Sequence, residues 1–421
     1  MKLLFTALGS RGDIEPFLAQ AELFRAEHEI MCVFPEQFRE EVEKLGYQFE
    51  GFDPAFLELL GSATGKQVMG GSGVFFTKIN GYLKLMKSSM KLQQSIIDVQ
   101  RNSIRSFQPD RVIFHAKCLY GFIGAFSNPA KYILLNAIPC MNHPTEDYPH
   151  IGFGKWGEFS PKWNLRSYSL INGARRIMFK KFLGTYYSDF PSKKFTPSAL
   201  GKFEELELKT IYQISVHLFP KPKDWPETAV ISGYLHRDQA RTYQPETALQ
   251  DWLKNHPKAI LLTFGSMSNP RPQEISRILI DLLVEKGIPA IVNTSWGGLE
   301  KIDGSPESIF YTNHIPYDYI MPKLYGVIHH GGSGTTHLTS LFGCVQLIIP
   351  HIIDQFFWNN LVAEKNLGPK GIPVKSLDKS NLSSILDDFW TNSIYPENGK
   401  IVSNQMNTEL DKETLKSYIL N

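Results

Sequence analysis

Short apolar segments alternate with amphipathic, helix-compatible segments along most of the chain. In the first half the apolar segments are KLLFTAL, EIMCVF, RVIFHA and KYILLNA, and in the second half they are KAILLTF, PAIVNT, GVIHH and VQLIIP. Continuous apolar strands separated by helices are typical of parallel sheets that are covered on both faces. The pattern therefore predicts an α/β protein in which each half of the chain builds its own doubly wound sheet.

A segment of mixed polarity with four prolines, LFPKPKDWPETAVISGYLHRDQARTYQPETA, separates the two halves. It predicts a linker, with AVISGYL as a strand near the hinge. We expect a first domain at residues 1–220, a linker at 221–245, a second domain at 246–403 and a terminal helix at 404–421 that packs back on the first domain. Ligands of doubly wound domains bind at the carboxyl ends of the strands. The expected site is therefore a central cleft that both domains face.

Composition narrows the class of protein. A chain of 421 residues, with 42% hydrophobic and 20% charged residues, is long enough for two globular domains. The formal charge of +2 gives no reason to expect nucleic acid as a partner. No apolar run approaches the length of a transmembrane helix, and the apolar start MKLLFTAL is short for a signal peptide. The four cysteines lie far apart in apolar surroundings, so we expect a soluble protein of the reducing cytoplasm.

The glycine-rich stretch GSATGKQVMGGSG at residues 61–73 is similar to a phosphate-binding P-loop but fails its spacing, and Gln67 replaces the required Ser or Thr. We predict a mobile surface loop there. An Asp-x-Asp triplet and zinc-ligand spacings are also missing from the sequence, which argues against a dedicated metal for a diphosphate.

The stretch TALGSRGDIEPFLAQA predicts a strand, a glycine turn and a helix, with Gly9 and Gly12 allowing the sharp turn. Asp13 has two open interpretations: a helix cap, or a carboxylate that points into the cleft and takes a proton from a bound hydroxyl. Pro16 suits the first helical position, which would make Glu15 the cap. GSRGDI lacks the third glycine of the dinucleotide-binding fingerprint, so we do not expect a dinucleotide-dependent reductase.

In VIHHGGSGTTHLTSLFG an apolar strand leads into small residues. We predict that the strand ends near His329 and that a short helix extends from Thr335 to Phe342. Residues 331–334 have little side-chain bulk, so an anion can approach the backbone N–H groups and the positive dipole end of this helix. His330 could add a donor from a ring nitrogen. A tight turn alone would need one glycine, so the pattern favours a diphosphate site that needs no metal.

Further along, VQLIIPHIIDQFFWNN carries a polar pair directly after a buried strand. Asp354 and Gln355 can accept and donate hydrogen bonds to the vicinal hydroxyls of a sugar. A helix cap at a strand–helix turn is an equally good interpretation of the same two residues, and the sequence leaves both open.

Taken together, these motifs resemble those of the family-1 glycosyltransferases of GT-B fold, which use nucleotide-diphosphate sugars. GSRGDIEP is similar to the N-terminal motif of the bacterial natural-product and sterol-glucosyltransferase-like branch. LLTFGSM, NTSWGGL, NHIPYDYIMPK and HHGGSGTT…GCVQLIIPHIIDQFFW follow in the family's order and at its spacing. The resemblance spans nearly the whole chain, although residues 60–200 carry little signal. It implies the GT-B architecture, two doubly wound Rossmann-like domains facing a central cleft.

The resemblance also implies a role for each matching residue. Asp13 looks like the catalytic base that deprotonates the acceptor hydroxyl. Asp354 and Gln355 match the pair that holds the donor sugar, and His314 and Ile315 lie where the family stacks on and reads the base. The residues that match the family's diphosphate site are Ser266, His330, Gly332, Ser333, Gly334 and Thr335.

Three departures from the family pattern matter. His314 replaces the tryptophan or other aromatic residue that often stacks on the base, so the stacking area is smaller. Leu338 stands where plant members carry a glutamate for the ribose, so the ribose contact must come from elsewhere. The plant-type histidine base near the N-terminus is missing, which leaves Asp13 as the stronger candidate.

The implied activity is an inverting hexosyl transfer without metal or cofactor, from a nucleotide-diphosphate sugar to a hydroxyl of a hydrophobic small molecule or lipid. UDP and glucose are the first choices for nucleotide and sugar. A nucleotide-sugar epimerase can share the fold and would need no acceptor. A non-enzymatic nucleotide-sugar-binding protein is the third alternative.

Residues 155–194 are basic and rich in aromatic residues. Two acidic residues, Glu158 and Asp189, stand against nine basic ones. A surface that approaches anionic lipid at the inner face of the membrane is one interpretation, and it suits a lipid-like acceptor. A solvated helix face that borders the acceptor cleft is the other. The basic residues are Lys155, Lys162, Arg166, Arg175, Arg176, Lys180, Lys181, Lys193 and Lys194, and the aromatic residues between them include Trp156, Trp163, Phe179 and Phe182.

Overall fold

The chain divides into two compact units in a computed structural model. The first unit consists of Met1–Gln213, Lys221–Leu235 and Asp411–Asn421, and the second of Ile214–Pro220 and His236–Leu410. The structure describes residues 1–54, 92–156, 159–183, 186, 189, 208–265, 267, 269, 271–294 and 297–421. The glycine-rich stretch at 61–73 lies outside these residues. Within the described part, no helix is long and apolar enough to cross a membrane.

The first unit is built on a seven-stranded parallel sheet with the order β3-β2-β1-β4-β5-β6-β7. Its apolar strands are buried, and one face packs on the helix at residues 92–107 through Ile97 and Phe107. The strands are β1 (Lys2–Thr6), β2 (Glu29–Pro35), β3 (Gln48–Phe52), β4 (Arg111–His115), β5 (Tyr132–Asn136), β6 (Thr210–Tyr212) and β7 (Ala229–Ile231). The helices are α1 (Arg11–Phe24), α2 (Arg39–Lys44), α3 (residues 92–107), α4 (Leu119–Ser127) and α5 (Pro161–Leu183).

The second unit is built on a five-stranded parallel sheet with the order β10-β9-β8-β11-β12. Leu262, Val292 and Leu347 from its strands form a core with the helices that cover it. The strands are β8 (Ile260–Thr263), β9 (Ala290–Asn293), β10 (Ile309–Thr312), β11 (Gly326–His329) and β12 (Val345–Ile348). The helices are α6 (Thr247–Asn255), α7 (Pro272–Glu285), α8 (Tyr317–Ile320), α9 (Ser333–Leu341), α10 (Asp354–Glu364), α11 (Lys379–Thr391) and α12 (Ile394–Glu409).

Short 3₁₀ turns occur between these elements, at Glu36–Phe38, Ile151–Trp156, Ala240–Thr242, Met321–Lys323 and Val374–Ser376. The last helix, α13 (Lys412–Leu420), belongs to the first unit. Arg111 Nε donates to Ile419 O (3.1 Å), and Tyr418 Oη donates to Thr228 O (2.6 Å). These bonds fasten the chain end to β4 and to the residue before β7.

All eight strands that the apolar segments predicted are present. The pattern missed β3, β6 and β10, because QFEGF and IFYT are of mixed polarity and TIY is only three residues long. AVISGYL does form a strand, β7, but as the last strand of the first sheet, so residues 221–235 belong to the first unit and not to a linker. The second unit ends at Leu410, and the terminal segment of the first unit begins at Asp411. The predicted boundary at residue 404 is wrong, since α12 is continuous to Glu409.

Candidate functional site

Each sheet has one place where the chain changes direction across the sheet. In the first sheet this switch point lies between β1 and β4, and in the second it lies between β8 and β11. Ligands of doubly wound sheets bind outside the carboxyl ends of the strands at such a switch point. The residues that follow these four strands are therefore well placed to meet a ligand.

In the second unit His330 follows β11 and is buried against two glycines. A Cβ at Gly265, which follows β8 with φ +56°, would lie 2.9 Å from His330 Cε1, and a Cβ at Gly332 would lie 2.4 Å from its Nε2. Glycine at both positions therefore makes room for the ring. Burial, together with the nearby His329 and His351, holds the pKa of His330 well below its ordinary value. The ring is neutral, and its Nδ1 has no hydrogen-bond partner among the described residues.

The helix beside His330 begins at Ser333, two residues earlier than predicted, because Gly332 already acts as the N-cap. The first intrahelical bond runs from Thr336 N–H to Gly332 O (2.9 Å). The N–H groups of Ser333, Gly334 and Thr335 precede that bond, as in any helix start. Gly334 is exposed and Thr335 half-buried. The arrangement matches an anion site at the positive end of a helix dipole.

Two further buried histidines hold this turn. His329 Nδ1 accepts from Gly331 N–H (3.1 Å), and its Nε2 lies 3.1 Å from Gln346 Oε1. This pattern requires the neutral tautomer with the proton on Nε2. His337 Nδ1 lies 2.7 Å from Ser333 O. Burial lowers the pKa of both rings to about 4, so both are neutral at neutral pH.

The two residues of the polar pair after β12, Asp354 and Gln355, differ in burial. Gln355 is buried, and its Oε1 accepts from the N–H groups of His351 (2.7 Å) and Ile352 (3.0 Å). These bonds fix Gln355 to the turn before α10, although no side-chain hydrogen bond caps the helix itself. Asp354 is the first residue of α10 and is half-buried. The residue before it, Ile353, has φ +39°, a conformation that a β-branched residue rarely adopts.

The remaining donor candidates follow β8 and β10. His314 is exposed, and Thr312 Oγ1 accepts from its N–H (3.3 Å) and donates to its O (3.1 Å). Ile315 is buried. Ser266 lies outside the described residues. The described donor candidates thus all follow carboxyl ends of strands in one sheet.

In the first unit, α1 starts at Arg11 with Ser10 as the N-cap. The predicted start at Pro16 is wrong, because Pro16 lies inside the helix. Asp13 Oδ2 accepts from Ser10 N–H (2.9 Å), one half of a capping box. The cap interpretation of Asp13 is therefore correct for one oxygen of the carboxylate.

The other oxygen of Asp13 faces His115, the last residue of β4, and Lys117, which follows that strand. Oδ1 accepts from Lys117 Nζ (2.7 Å) and lies 3.6 Å from His115 Nε2. Burial raises the pKa of Asp13, but the charges of Lys117 and His115 outweigh it, and the pKa is lowered. Burial and Lys117 lower the pKa of His115 to about 4. At neutral pH the cluster is therefore a carboxylate, an ammonium and a neutral imidazole.

Gly9 completes this cluster. It has φ +145°, and a Cβ there would lie 2.0 Å from Asp13 Oδ2. Sequence reasoning missed Lys117, His115 and the contact of Gly9. The signal for the first two was present, because HAK lies at the carboxyl end of the apolar strand that the topology places beside β1.

Within the described ranges, no group of three or more His, Cys, Asp or Glu side chains is arranged to hold a metal ion.

Solved structures share this architecture. The glycosyltransferase of kitacinnamycin matches with a TM-score of 0.71 and 12% identity, covering 99% of each chain. The glycosyltransferase VinC, solved in complex with DTDP, matches with a TM-score of 0.64 and 15% identity, covering 100% of this chain and 98% of that one. At identities this low, the matched structures establish only the fold. The fold is GT-B, with two Rossmann-like domains.

Sequence relatives point to the same class. Residues 286–414 match the family described as erythromycin biosynthesis protein CIII-like, C-terminal domain. A sterol 3-beta-glucosyltransferase of Arabidopsis thaliana is 29% identical over 91% of this chain and 62% of its own length. A sterol 3-beta-glucosyltransferase of Pichia angusta is 24% identical over 98% of this chain. The chain spans about a third of that fungal protein (33%).

These comparisons show that the chain has the GT-B fold and is similar in sequence to family-1 glycosyltransferases, as its motifs predicted.

Proposed function

We propose that the chain transfers a hexose from a nucleotide-diphosphate sugar to a hydroxyl group of a lipophilic acceptor, with inversion at the anomeric carbon. The observation that carries the proposal is the second switch point, where the neutral ring of His330 sits between Gly265 and Gly332 beside the start of α9. A helix start that has little side-chain bulk, with a neutral imidazole beside it, suits a diphosphate. The relatives' names, sterol 3-beta-glucosyltransferases, support a sterol-like acceptor.

The proposed reaction is a single displacement. The acceptor O–H proton passes to Asp13 as the acceptor oxygen bonds to the anomeric carbon. The bond from that carbon to the diphosphate oxygen breaks, and its electron pair leaves with the nucleotide diphosphate. The N–H groups at the start of α9 and His330 then stabilise the growing negative charge. One such pre-aimed donor contributes about 10²–10³ in rate in comparable sites.

The donor would be held at the carboxyl edge of the second sheet. We assign the diphosphate to Ser266, His330, Gly332, Ser333, Gly334 and Thr335. Asp354 and the amide nitrogen of Gln355 would contact the sugar, and His314 with the backbone of Ile315 would contact the base. UDP-glucose is the first donor to test, because the relatives are named glucosyltransferases.

We also propose that transfer needs no added metal, since the helix start offers N–H donors for the diphosphate charge. Activity in EDTA equal to that in Mg²⁺ would support this. A loss of activity in EDTA that Mg²⁺ restores would refute it.

The test of the activity is a matrix of donors and acceptors. Purified chain is incubated with UDP-glucose or TDP-glucose, with and without sterols, long-chain alcohols and phenols. Nucleotide diphosphate and glycoside are then quantified. Release that depends on the acceptor and equals the glycoside formed supports a transferase. A nucleotide diphosphate and rearranged sugar formed without acceptor would instead indicate an epimerase, and donor binding without any turnover would indicate a binding protein.

A second part of the proposal concerns where the acceptor is met. Helix α5 contains six basic residues and no acidic residue in its 23 positions. Its inner side is docked on the first unit, with Asn164 Nδ2 donating to Glu146 O (2.6 Å) and Tyr168 Oη donating to Tyr148 O (3.2 Å). Over residues 161–173, the helix is therefore held with its other side in solvent.

That outer side combines apolar and basic residues. Trp163 (52% exposed) and Leu170 (57% exposed) lie seven positions apart, with Arg166 between them and Lys162 beside them. Asp189 does not offset this charge, because its carboxylate is buried in ion pairs with Arg101 and Arg105. A basic helix that exposes Trp and Leu fits the interface of an anionic bilayer. Each Lys or Arg near such a surface contributes about 1 kcal/mol.

Vesicle sedimentation tests this surface without donor or acceptor. We expect salt-sensitive pelleting with phosphatidylcholine vesicles that contain phosphatidylglycerol, and little with phosphatidylcholine alone. Changing Trp163 and Leu170 together to Ser should weaken pelleting about tenfold or more, since each apolar side chain contributes roughly 1.5–3 kcal/mol when buried. The matched control changes Ile394 and Ile401, which are similarly exposed at 51% and 56% on α12, to Ser. An equal loss of vesicle pelleting in both double variants would refute the proposed membrane-binding surface.

A further inference from the structure

Lys117 makes the shortest side-chain contact of Asp13 that the structure describes. Its Nζ donates to Asp13 Oδ1 at 2.7 Å, and its side chain is 47% exposed. Asp13 is less accessible, with 21% of its side chain exposed. One oxygen of the carboxylate is bonded to the backbone at Ser10, so Lys117 occupies the oxygen that remains for an acceptor hydroxyl.

The other titratable groups around Asp13 carry no positive charge toward it at neutral pH. His115, at the end of β4, is neutral because burial and Lys117 lower its pKa to about 4. Cys118 is neutral because burial raises the pKa of its thiol to about 12. Arg11, on the helix of Asp13, is directed to Glu41 (2.8 Å). Among the described residues, Lys117 is therefore the cation that balances the carboxylate.

We propose that Lys117 is a positioning residue: it holds Asp13 ionised in the empty site and gives up Oδ1 to the incoming acceptor hydroxyl. The inference rests on the proposed function, because it assigns the control of the same carboxylate. A half-exposed lysine can move into solvent at little energetic cost, since exposed ion pairs contribute little stability. A buried carboxylate without any partner would retain its proton and could not act as a base.

The exchange also strengthens the base when it is needed. With Lys117 in place, the pKa of Asp13 is lowered and the carboxylate is charged but weakly basic. When the ammonium leaves, burial dominates and the pKa rises, so Asp13 takes the proton of the hydroxyl more readily. The O–H bond of the acceptor breaks, its proton moves to Oδ1, and the oxygen's electron pair forms the new bond to the anomeric carbon.

The test compares Lys117→Gln with Lys117→Arg, which keeps the charge. We measure kcat/KM from pH 5.5 to 9, and the titration of the Asp13 carboxyl by NMR of protein labelled with ¹³C at aspartate Cγ. Asp13→Asn identifies the resonance. In Lys117→Gln both the carboxyl titration and the acidic limb of the rate profile should move to higher pH. The loss of kcat/KM should then be greater at pH 5.5 than at pH 8, since the ionised fraction falls about tenfold for each pH unit below the pKa of the carboxyl group.

The matched control is Lys2→Gln, which removes a similarly exposed lysine (42%) that pairs with Glu29 at 3.7 Å. It should leave both profiles unchanged, and Lys117→Arg should restore most of the wild-type profile. An Asp13 carboxyl that titrates identically in wild type and Lys117→Gln would overturn the inference, as would a uniform loss of rate at every pH. Because the NMR titration needs no substrate, a protein without transferase activity would refute the proposed function and leave this inference separately testable.

Discussion

Gly332→Ala perturbs the proposed diphosphate site without straining the backbone. Gly332 has φ −64° and ψ 143°, which alanine adopts freely. The added Cβ would lie 2.4 Å from His330 Nε2, whereas real Cβ contacts are essentially never under 3.0 Å, so the ring must move by about 0.6 Å or more. The ring is buried, so it has little free space to move into.

Two consequences follow from this displacement. Overpacking of a buried site typically costs about 1–3 kcal/mol of unfolding free energy. A donor misplaced by about 1 Å can reduce the rate about 10²-fold. We therefore expect a lower melting temperature and a fall in kcat of about 10²-fold with UDP-glucose, with the acceptor KM nearly unchanged.

Thermal unfolding and initial rates measure both effects. Gly173→Ala is the matched control, because a Cβ at this helical glycine meets nothing within 4 Å. It should leave the rate unchanged and stabilise the protein by roughly 0.5–1 kcal/mol. A Gly332→Ala protein with wild-type rates and stability would refute the placement of His330 as a diphosphate ligand.

Three further changes and one pH dependence test other parts of the account. Asp13→Asn should reduce kcat by about 10²–10⁴-fold. Donor binding, measured by calorimetry with the nucleotide diphosphate, should be unchanged. Near-normal turnover would disprove the assignment of Asp13 as the base. Gly9→Ala should displace the same carboxylate, because its Cβ would lie 2.0 Å from Asp13 Oδ2, and transfer should fall while donor affinity is retained. Ile353→Gly should raise the free energy of unfolding, measured in urea, by about 1 kcal/mol, because glycine adopts φ +39° without strain. A destabilised variant would argue against that backbone conformation. The buried His329 and His337 have pKa values of about 4 when folded and an ordinary value of 6.5. Their contribution to stability is therefore present above pH 6.5 and is lost as the pH falls toward 4, so the urea midpoint should drop between pH 7.5 and 5.

The apolar pattern predicted the strands of both sheets because buried parallel strands are apolar on both faces. It could not predict β6 or β10, whose short or mixed segments become strands only by pairing with a neighbour already in the sheet. Strand pairing in the folded protein also determines the position of AVISGYL, which extends the first sheet and is not a hinge element.

The residues of the candidate site were likewise predictable from the sequence only in part. His330 and the small residues after it were recognisable because a helix start with so little bulk suits an anion. The start of α1 was misjudged, because Ser10 caps it and a proline is accepted inside the helix. The partnership of Asp13 with Lys117 joins residues 104 positions apart, and no local pattern contains it. Only the adjacency of β1 and β4 brings the two together.

The configuration of the product tests the central claim most directly. Purified wild-type chain and Asp13→Asn are each incubated with UDP-α-glucose and a sterol, and the glycoside is examined by ¹H NMR while UDP is quantified. We predict that the wild type forms a β-glucoside in equal amount to the UDP released, and that Asp13→Asn forms almost none. An α-glucoside, or UDP release that does not depend on the sterol, would contradict the proposed inverting transfer.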